Sequence, residues 1–276
     1  MSGETRPTAP VAHYDAAYAH YASTVQTEVR REAFGDDIGQ NSWLTVDEYR
    51  RYIGWLDLTQ ASHVLDVASG SGGPALYLAQ MAGCQVTGID VNENGVVNAN
   101  RLAQERGMGA RVRFQQADAT APLGFGDRTF DAIMCIDAIN HLADRPRVLT
   151  EWRRMLRPGG RLLFTDPITV TGILTSEEIA VRSSIGFFLY TPGGVNDRLL
   201  QAAGLELLRL EDATDNVARV AQRWRAARER RRDALLQIEG GETFEGQQKF
   251  FSVAHALAAE GRLSRLVFLT HRPRVE

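Results

Sequence analysis

The stretch VLDVASGSGGPALYLA, Val64 to Ala79, limits the fold more than any other segment. Val64, Leu65 and Val67 make a short apolar run, glycines crowd the turn after it, and Pro74 stands where the first turn of a helix tolerates a missing N–H. Strand, glycine turn and helix in that order open a parallel α/β sheet. The rhythm continues downstream. Strands are expected at His63 to Val67, Gln85 to Ile89, Arg111 to Gln115, Phe130 to Ile136 and Arg161 to Thr165, with helices starting near Pro74, Asn92 and Asp144. Such alternation predicts a doubly wound sheet covered on both faces and built from right-handed crossovers.

The flanks read differently. Residues 1–12 form a Pro/Thr/Ala-rich tail, and 13–62 a helical cover in which Tyr14, Tyr18 and Tyr21 recur at helical spacing. Thr45 and Glu48 are spaced as a capping box at the start of a second helix. Beyond Asp166 the alternation stops. Residues 167–198, with TSEEIAVRSS and the apolar IGFFLY, are too long for a simple connection and are placed like a lid. A strand at Leu205 to Leu210, an Arg-rich helix over about 215–238, a helix over about 243–260 and a strand at Leu263 to Thr270 complete the chain.

Bulk properties narrow the partners. A chain of 276 residues, 44% hydrophobic, holds one sizeable core with additions. A net charge of −3 gives no global attraction to nucleic acid or to an anionic membrane, so a small partner is expected. In RVAQRWRAARERRRD the apolar Val217, Val220, Trp224 and Ala227 share one helical face, which makes the arginines a solvated face rather than an RNA-binding patch. Cys84 and Cys135 lack ligand spacing; no disulfide framework, no zinc and no other metal is expected, and a reduced cytoplasm fits. Neither a secretory h-region nor a membrane span is visible.

Gly70, Gly72 and Ala75 satisfy G-x-G-x-x-G/A, and Asp90 follows Gly72 by 18 residues. That spacing alone also suits a nicotinamide dinucleotide. Three features favour S-adenosylmethionine. Asp66 lies inside the first strand, where a cationic or donating ligand would offset its burial and a pyrophosphate would not. Asp118, in QQADAT, stands at the mouth of the third strand, suited to accept from an adenine amine. FDAIMCIDAINHL and then LRPGGRLLFTD supply a fourth strand and a Pro-Gly-Gly turn into a fifth.

Together VLDVASGSGG, GIDVN, QQADAT, FDAIMCIDAINHL and LRPGGRLLFTD resemble the successive motifs of Rossmann-like S-adenosylmethionine-dependent methyltransferases, over roughly residues 35 to 270. The resemblance is to the small-molecule branch that holds quinone, tocopherol, sterol, phosphoethanolamine and natural-product enzymes. It implies a seven-stranded, mostly parallel sheet with an antiparallel last strand. One departure is Ala68-Ser69, where many relatives have Gly-Cys.

The resemblance also implies site residues. Ala68, Gly70 and Gly72 let the backbone approach the methionine and ribose; Asp90, with Val91 beside it, holds the ribose hydroxyls; Asp118 and Ala119 flank the adenine. Gln40 belongs to a segment similar to the loop that closes over the cofactor, with Ser42 and Trp43 as further candidates. Asp66, Cys135 and Asp137 complete the cofactor set. The acceptor, an oxygen, a nitrogen or less readily a carbon of a small metabolite, arrives at the ends of strands four and five. His141 and Asp166 are there as candidate bases, Asn140, Arg182 and Tyr190 as candidate acceptor contacts. A salt bridge to Glu178 is the structural alternative for Arg182. A cofactor-binding fold without methyl transfer is an alternative reading, and the protein is expected as a monomer or homodimer.

Overall fold

Successive residues of the central strands enter opposite cores, which is what lets helices cover both faces of one sheet. In the computed structural model, which describes residues 23–274, β1 (His63–Val67) sends Val64 to one face and Leu65 and Val67 to the other. β4 (Phe130–Cys135) does the same, with Ala132 and Met134 on the side of Val64 and Ile133 and Cys135 on the side of Leu65. The tail over 1–12 and the tyrosines at 14, 18 and 21 lie outside the described residues.

The first face is covered by α2 (Val46–Trp55), α3 (Gly73–Ala82) and α4 (Glu93–Glu105). The second is covered by α5 (Arg145–Met155) and α7 (Val195–Ala202). β2 (Gln85–Asp90), β3 (Val112–Gln116), β5 (Leu156–Val170), β7 (Glu206–Asp212) and β8 (Leu263–His271) complete the order β3-β2-β1-β4-β5-β8-β7. Only β8 runs antiparallel to its neighbours along this path. The two-residue β6 (Thr191–Pro192) adds an eighth strand beside the end of β5. The chain winds from β1 out to β3 and then crosses to β4 on the other side of β1, so a crevice opens at the carboxyl ends of β1 and β4.

Two boundaries differ from the sequence-based expectation. β5 does not stop at Thr165, because Asp166, Thr169 and Val170 pair with Leu266, Ser264 and Leu263 of β8 across a bulge. The Arg-rich helix ends early. α8 (Thr214–Arg230) breaks at Arg231, and α9 (Arg232–Ala259) breaks again at Gly240, whose φ of 77° no helix accommodates. Arg231 is drawn to Glu28 and Glu32 of α1 (Thr24–Phe34), an attraction across the fold that no local breaker announces.

α1, α8 and α9 enclose a third core of Phe34, Trp43, Val217, Val220, Phe250 and Phe251. This fastens the segment before β1 over the crevice end of the sheet. The arginines of α8 and its C-terminal flank largely face acids: Arg228 pairs with Glu239, Arg230 with Glu32, and Arg232 with Glu229 and Glu245. Among the described residues, no helix is long and apolar enough to cross a membrane.

Candidate active site

The glycine turn is bound to the end of β2. Ala68, Gly70 and Gly72 all have left-handed backbones, at φ of 59°, 53° and 80°. The Gly70 N–H donates to Asp90 Oδ2 at 2.8 Å and the Asn92 N–H to Asp90 Oδ1 at 2.8 Å. Asp90 therefore holds the turn and still has lone pairs for another donor. Gly72 has a different reason to be glycine: a Cβ there would come within 2.7 Å of Ala99 and of Phe114. Its smallness serves the packing of the turn on α4 and β3. A Cβ on Gly73 would meet the Ile38 carbonyl at 2.1 Å, so the loop before α2 lies directly on the start of α3.

Asp66 is 5% exposed, and among the described residues neither a hydrogen bond nor a cation offsets its burial. Burial, and then the neighbouring Asp90, push its carboxyl up to about 7. Among the described residues, the Ser69 and Ser71 hydroxyls are also buried without a partner. A donor-poor acid beside a left-handed turn fits a ligand that brings positive charge and donors, as the family's sulfonium cofactor does. Val91 is exposed beside Asp90. Asp118, exposed at the end of β3, accepts from the Thr120 N–H and hydroxyl at 2.7 Å each through one oxygen, and Ala119 is half-buried next to it. Gln40 is fully buried, but its amide is used within its own loop, accepting from the Ile38 N–H and donating to the Asp36 carbonyl.

Across the crevice, a 3₁₀ turn at Ile139–His141 follows β4. His141 Nδ1 lies 2.8 Å from the Phe187 carbonyl, which can only accept. The neutral ring therefore carries its proton on Nδ1 and its basic lone pair on Nε2. Burial lowers the imidazole pKa, the Phe187 carbonyl opposes that shift, and the field of Arg182 adds to it. Asn140 is buried, its backbone carbonyl taken by the Leu189 N–H and its Oδ1 without a partner among the described residues.

Two acids that the sequence places at the site turn out to be braced by arginines. Asp166, with no exposed surface, pairs with Arg145 Nη1 at 2.6 Å and accepts from Asn196 Nδ2 at 2.9 Å. Asp137 accepts from the Trp43 N–H at 2.9 Å, the Thr165 hydroxyl at 2.6 Å and Arg265 Nε at 2.7 Å. Arg265 also reaches both oxygens of Glu48, which holds Asn216 and the Tyr52 hydroxyl. Sequence reading missed Arg145, Arg265 and Asn216. The capping box marked Glu48 but said nothing of its buried partner.

Cys135 is fully buried in the second core, and burial pushes its thiol up. Tyr190 is half-buried, its hydroxyl within reach of Ser183 and the Ile179 carbonyl. Glu178 is bound to Arg262, at 2.7 and 2.9 Å, rather than to Arg182. Arg182 closes α6 (Ser176–Arg182) and sits among the rings of Trp43, Phe188 and Phe250. Among the described residues, no group of three acids, histidines or cysteines is placed to hold a metal ion.

Known proteins resemble this chain in sequence and in fold. A family model described as a methyltransferase domain matches residues 65–164, which contain Asp66, the glycine turn, Asp90, Asp118 and His141. The 27-O-demethylrifamycin SV methyltransferase of Amycolatopsis mediterranei (strain S699) is 32% identical over 199 residues, 70% of this chain and 72% of that protein. The chain belongs to the methyltransferase family. Methyltransferase GfsG of Streptomyces halstedii is 36% identical over 166 residues, 58% of each chain, so this chain spans little more than half of that relative. The cyclopropane synthase MmaA2 from Mycobacterium tuberculosis shares the fold, with a TM-score of 0.81 at 17% identity over 96% of this chain and 99% of the other.

Proposed function

We propose that this methyltransferase moves a methyl group from S-adenosylmethionine to an oxygen or nitrogen of a small molecule, with His141 as the base. The observation that carries this reading is the buried, donor-poor Asp66 carboxylate next to Asp90 at the crevice where the strand order reverses, with His141 on the neighbouring strand end. When bound, the cofactor supplies a methyl group already activated for attack.

The chain's own residues bind, orient and move a proton. Asp90 accepts from the ribose hydroxyls, and Asp66 balances the cofactor's positive charge. Asp118, Ala119 and Val91 face the adenine, while Ala68 and Gly70 give the backbone its close approach. Gln40 shapes the loop over the cofactor, and Cys135 and Asp137 form the wall at the end of β4. Asn140 and Tyr190 lie on the acceptor side, and His141 Nε2 takes the acceptor's proton as the new bond forms. Asp166, bound to Arg145, braces β5 instead of acting as base. Residues 13–62 serve as a cover and 167–198 as a lid. All these groups come from one chain, so a monomer or homodimer would each carry a whole site. The free, buried Cys84 and Cys135 suit a reducing cytoplasm.

Screening acceptors by release of S-adenosylhomocysteine, with mass analysis of the product, tests the activity. With a hydroxyl acceptor, His141→Ala should lower kcat by about 10²- to 10⁴-fold and barely change cofactor affinity. An unchanged kcat would sink the base assignment. Calorimetry on Asp90→Ala should show S-adenosylmethionine bound roughly 10- to 100-fold more weakly, as for loss of charge-assisted hydrogen bonds. Equal affinity would remove Asp90 from the ribose.

A further inference from the structure

Residues 38–43 cross from one side of the crevice to the other and are held at both ends. At the start, the Ile38 carbonyl and Gly39 lie so close to Gly73 that a Cβ there would come within 2.1 and 2.7 Å of them. At the other end the Trp43 N–H donates to Asp137 Oδ2 at 2.9 Å, just beyond β4. One end therefore rests on the helix that leaves the glycine turn, and the other on the neighbouring strand end. Between them the Gln40 side chain ties the segment to itself, through the Ile38 N–H and the Asp36 carbonyl, which makes it a stiff strap.

Asn216, in the first turn of α8, completes the second anchor. Its Nδ2 donates to the Trp43 carbonyl and to Glu48 Oε2, each at 2.7 Å. A carbonyl can only accept, so the amide must turn its nitrogen this way. Both backbone polar groups of Trp43 are thus gripped by side chains. Asn216 is 5% exposed and stands on a fixed base: the Ala213 N–H donates to the Arg265 carbonyl at 2.9 Å, and the Arg265 N–H to the Thr214 hydroxyl at 3.0 Å. The Arg265 side chain then joins Glu48 to Asp137, so both grips on Trp43 belong to one network. The Trp43 ring also packs with Trp224, Phe250 and Phe251, but apolar packing is non-directional. The two hydrogen bonds set where the strap backbone points.

We propose that Asn216 is a positioning residue for the cofactor: by fixing the Trp43 carbonyl it holds the strap across the crevice and sets how long the cofactor stays bound. This rests on the reading in which the cofactor lies in the crevice beside Asp66 and Asp90. The Asn216 donors are spent on Trp43 and Glu48, so it acts through the strap. Asp137 does not suffice alone, because its bond to the Trp43 N–H leaves the next peptide plane free to turn. A strap that loses one grip opens locally, without unfolding the sheet beneath it, and a bound cofactor escapes through that opening.

The test uses the full chain with S-adenosylhomocysteine as the probe. Stopped-flow mixing measures its release, and hydrogen exchange measures protection of the Trp43 amide, in the wild type, Asn216→Leu and Phe244→Leu. Asn216→Leu removes both donors at similar volume. Phe244→Leu opens a cavity in the separate core of Val29, Ala227 and Leu235, so it lowers stability and leaves both grips on the strap in place. Asn216→Leu should release the probe about 3- to 10-fold faster, as for loss of one buried hydrogen bond, and its Trp43 amide should exchange faster. Phe244→Leu should release it at the wild-type rate. Unchanged release from folded Asn216→Leu, or equal acceleration in Phe244→Leu, overturns the proposal. If Asn216→Leu does not fold, Asn216→Ser, whose single hydroxyl proton cannot serve both acceptors, takes its place with the same outcomes. Asp90→Ala tells two failures apart. Weaker binding there with unchanged release from Asn216→Leu removes the role of Asn216 and keeps the site; equal binding there removes the site, and the proposal with it.

Discussion

Ala68 and Asp137 stand just beyond β1 and β4, on the two sides of the crevice, and both have left-handed backbones, at φ of 59° and 52°. That conformation costs a non-glycine residue about 1–2 kcal/mol. The two regions treat the cost in different ways. The Asp137 carboxylate accepts from Trp43, Thr165 and Arg265, so three elements hold it in place. Ala68 is exposed, with a methyl group that can offer no such bond. The same division separates the buried acids: Asp137 and Asp166 each have an arginine, and Asp66 has no donor among the described residues. A buried carboxylate with its partners in place is a strut, and one without them among the described residues is open to a further donor.

The sharpest way to break this comparison is to remove the cation from the braced side. Arg265→Met leaves Glu48 and Asp137 facing each other in the interior, and the loss should be about 3–5 kcal/mol, as for removal of one partner from a buried pair. Denaturant unfolding measures it. A loss below about 1 kcal/mol would mean that water reaches the network and that it braces nothing.

Asp66 predicts the opposite behaviour with pH. Its folded pKa is raised above the unfolded value, so it contributes stability fully present below the ordinary carboxylate range and lost as pH rises through about 7. The difference is at most about 4 kcal/mol, taking about 1.4 kcal/mol per pKa unit. Without cofactor, unfolding free energy should therefore fall between about pH 4 and 7, and Asp66→Asn should flatten that slope. Binding of S-adenosylmethionine near pH 6 should release close to one proton, seen as a dependence of binding heat on buffer ionisation enthalpy. Heats that are the same in all buffers would show that Asp66 is already ionised before the ligand arrives.

What the sequence made legible follows from range. The five parallel strands, the glycine turn, the Thr45–Glu48 capping box and the acids at strand ends are local patterns, and each is found within a few residues of its expected place. The braces were not legible. Glu48 and Arg265 are 217 residues apart and Arg145 and Asp166 are 21 apart, so no spacing rule joins them. An acid after a strand looks the same whether or not an arginine holds it, so the sequence did not distinguish Asp137 and Asp166, which arginines brace, from Asp90. Arg182 shows the converse. Glu178 one turn away was the local partner to expect, but Arg262 holds it, and the rings that hold Arg182 come from the loop before α2, the lid and α9.

The smallest effect probes the open side of the crevice itself. Ala68→Gly places at this position the residue that left-handed backbone prefers, relieving strain in the folded state while adding freedom to the unfolded chain. The first term should win, because a methyl group at φ 59° is opposed by its own backbone whatever lies around it, and the net gain should be about 0.5–1 kcal/mol in thermal or denaturant unfolding. Asp137→Gly meets the same backbone requirement but removes one of the two carboxylates that hold the buried Arg265, so it should destabilise despite the favourable φ. Opposite signs from one substitution type at two matched positions would separate backbone strain from bracing directly. If Ala68→Gly also destabilises, the Ala68 methyl packs against something in solution, and the cofactor turn is better supported than its exposure implies.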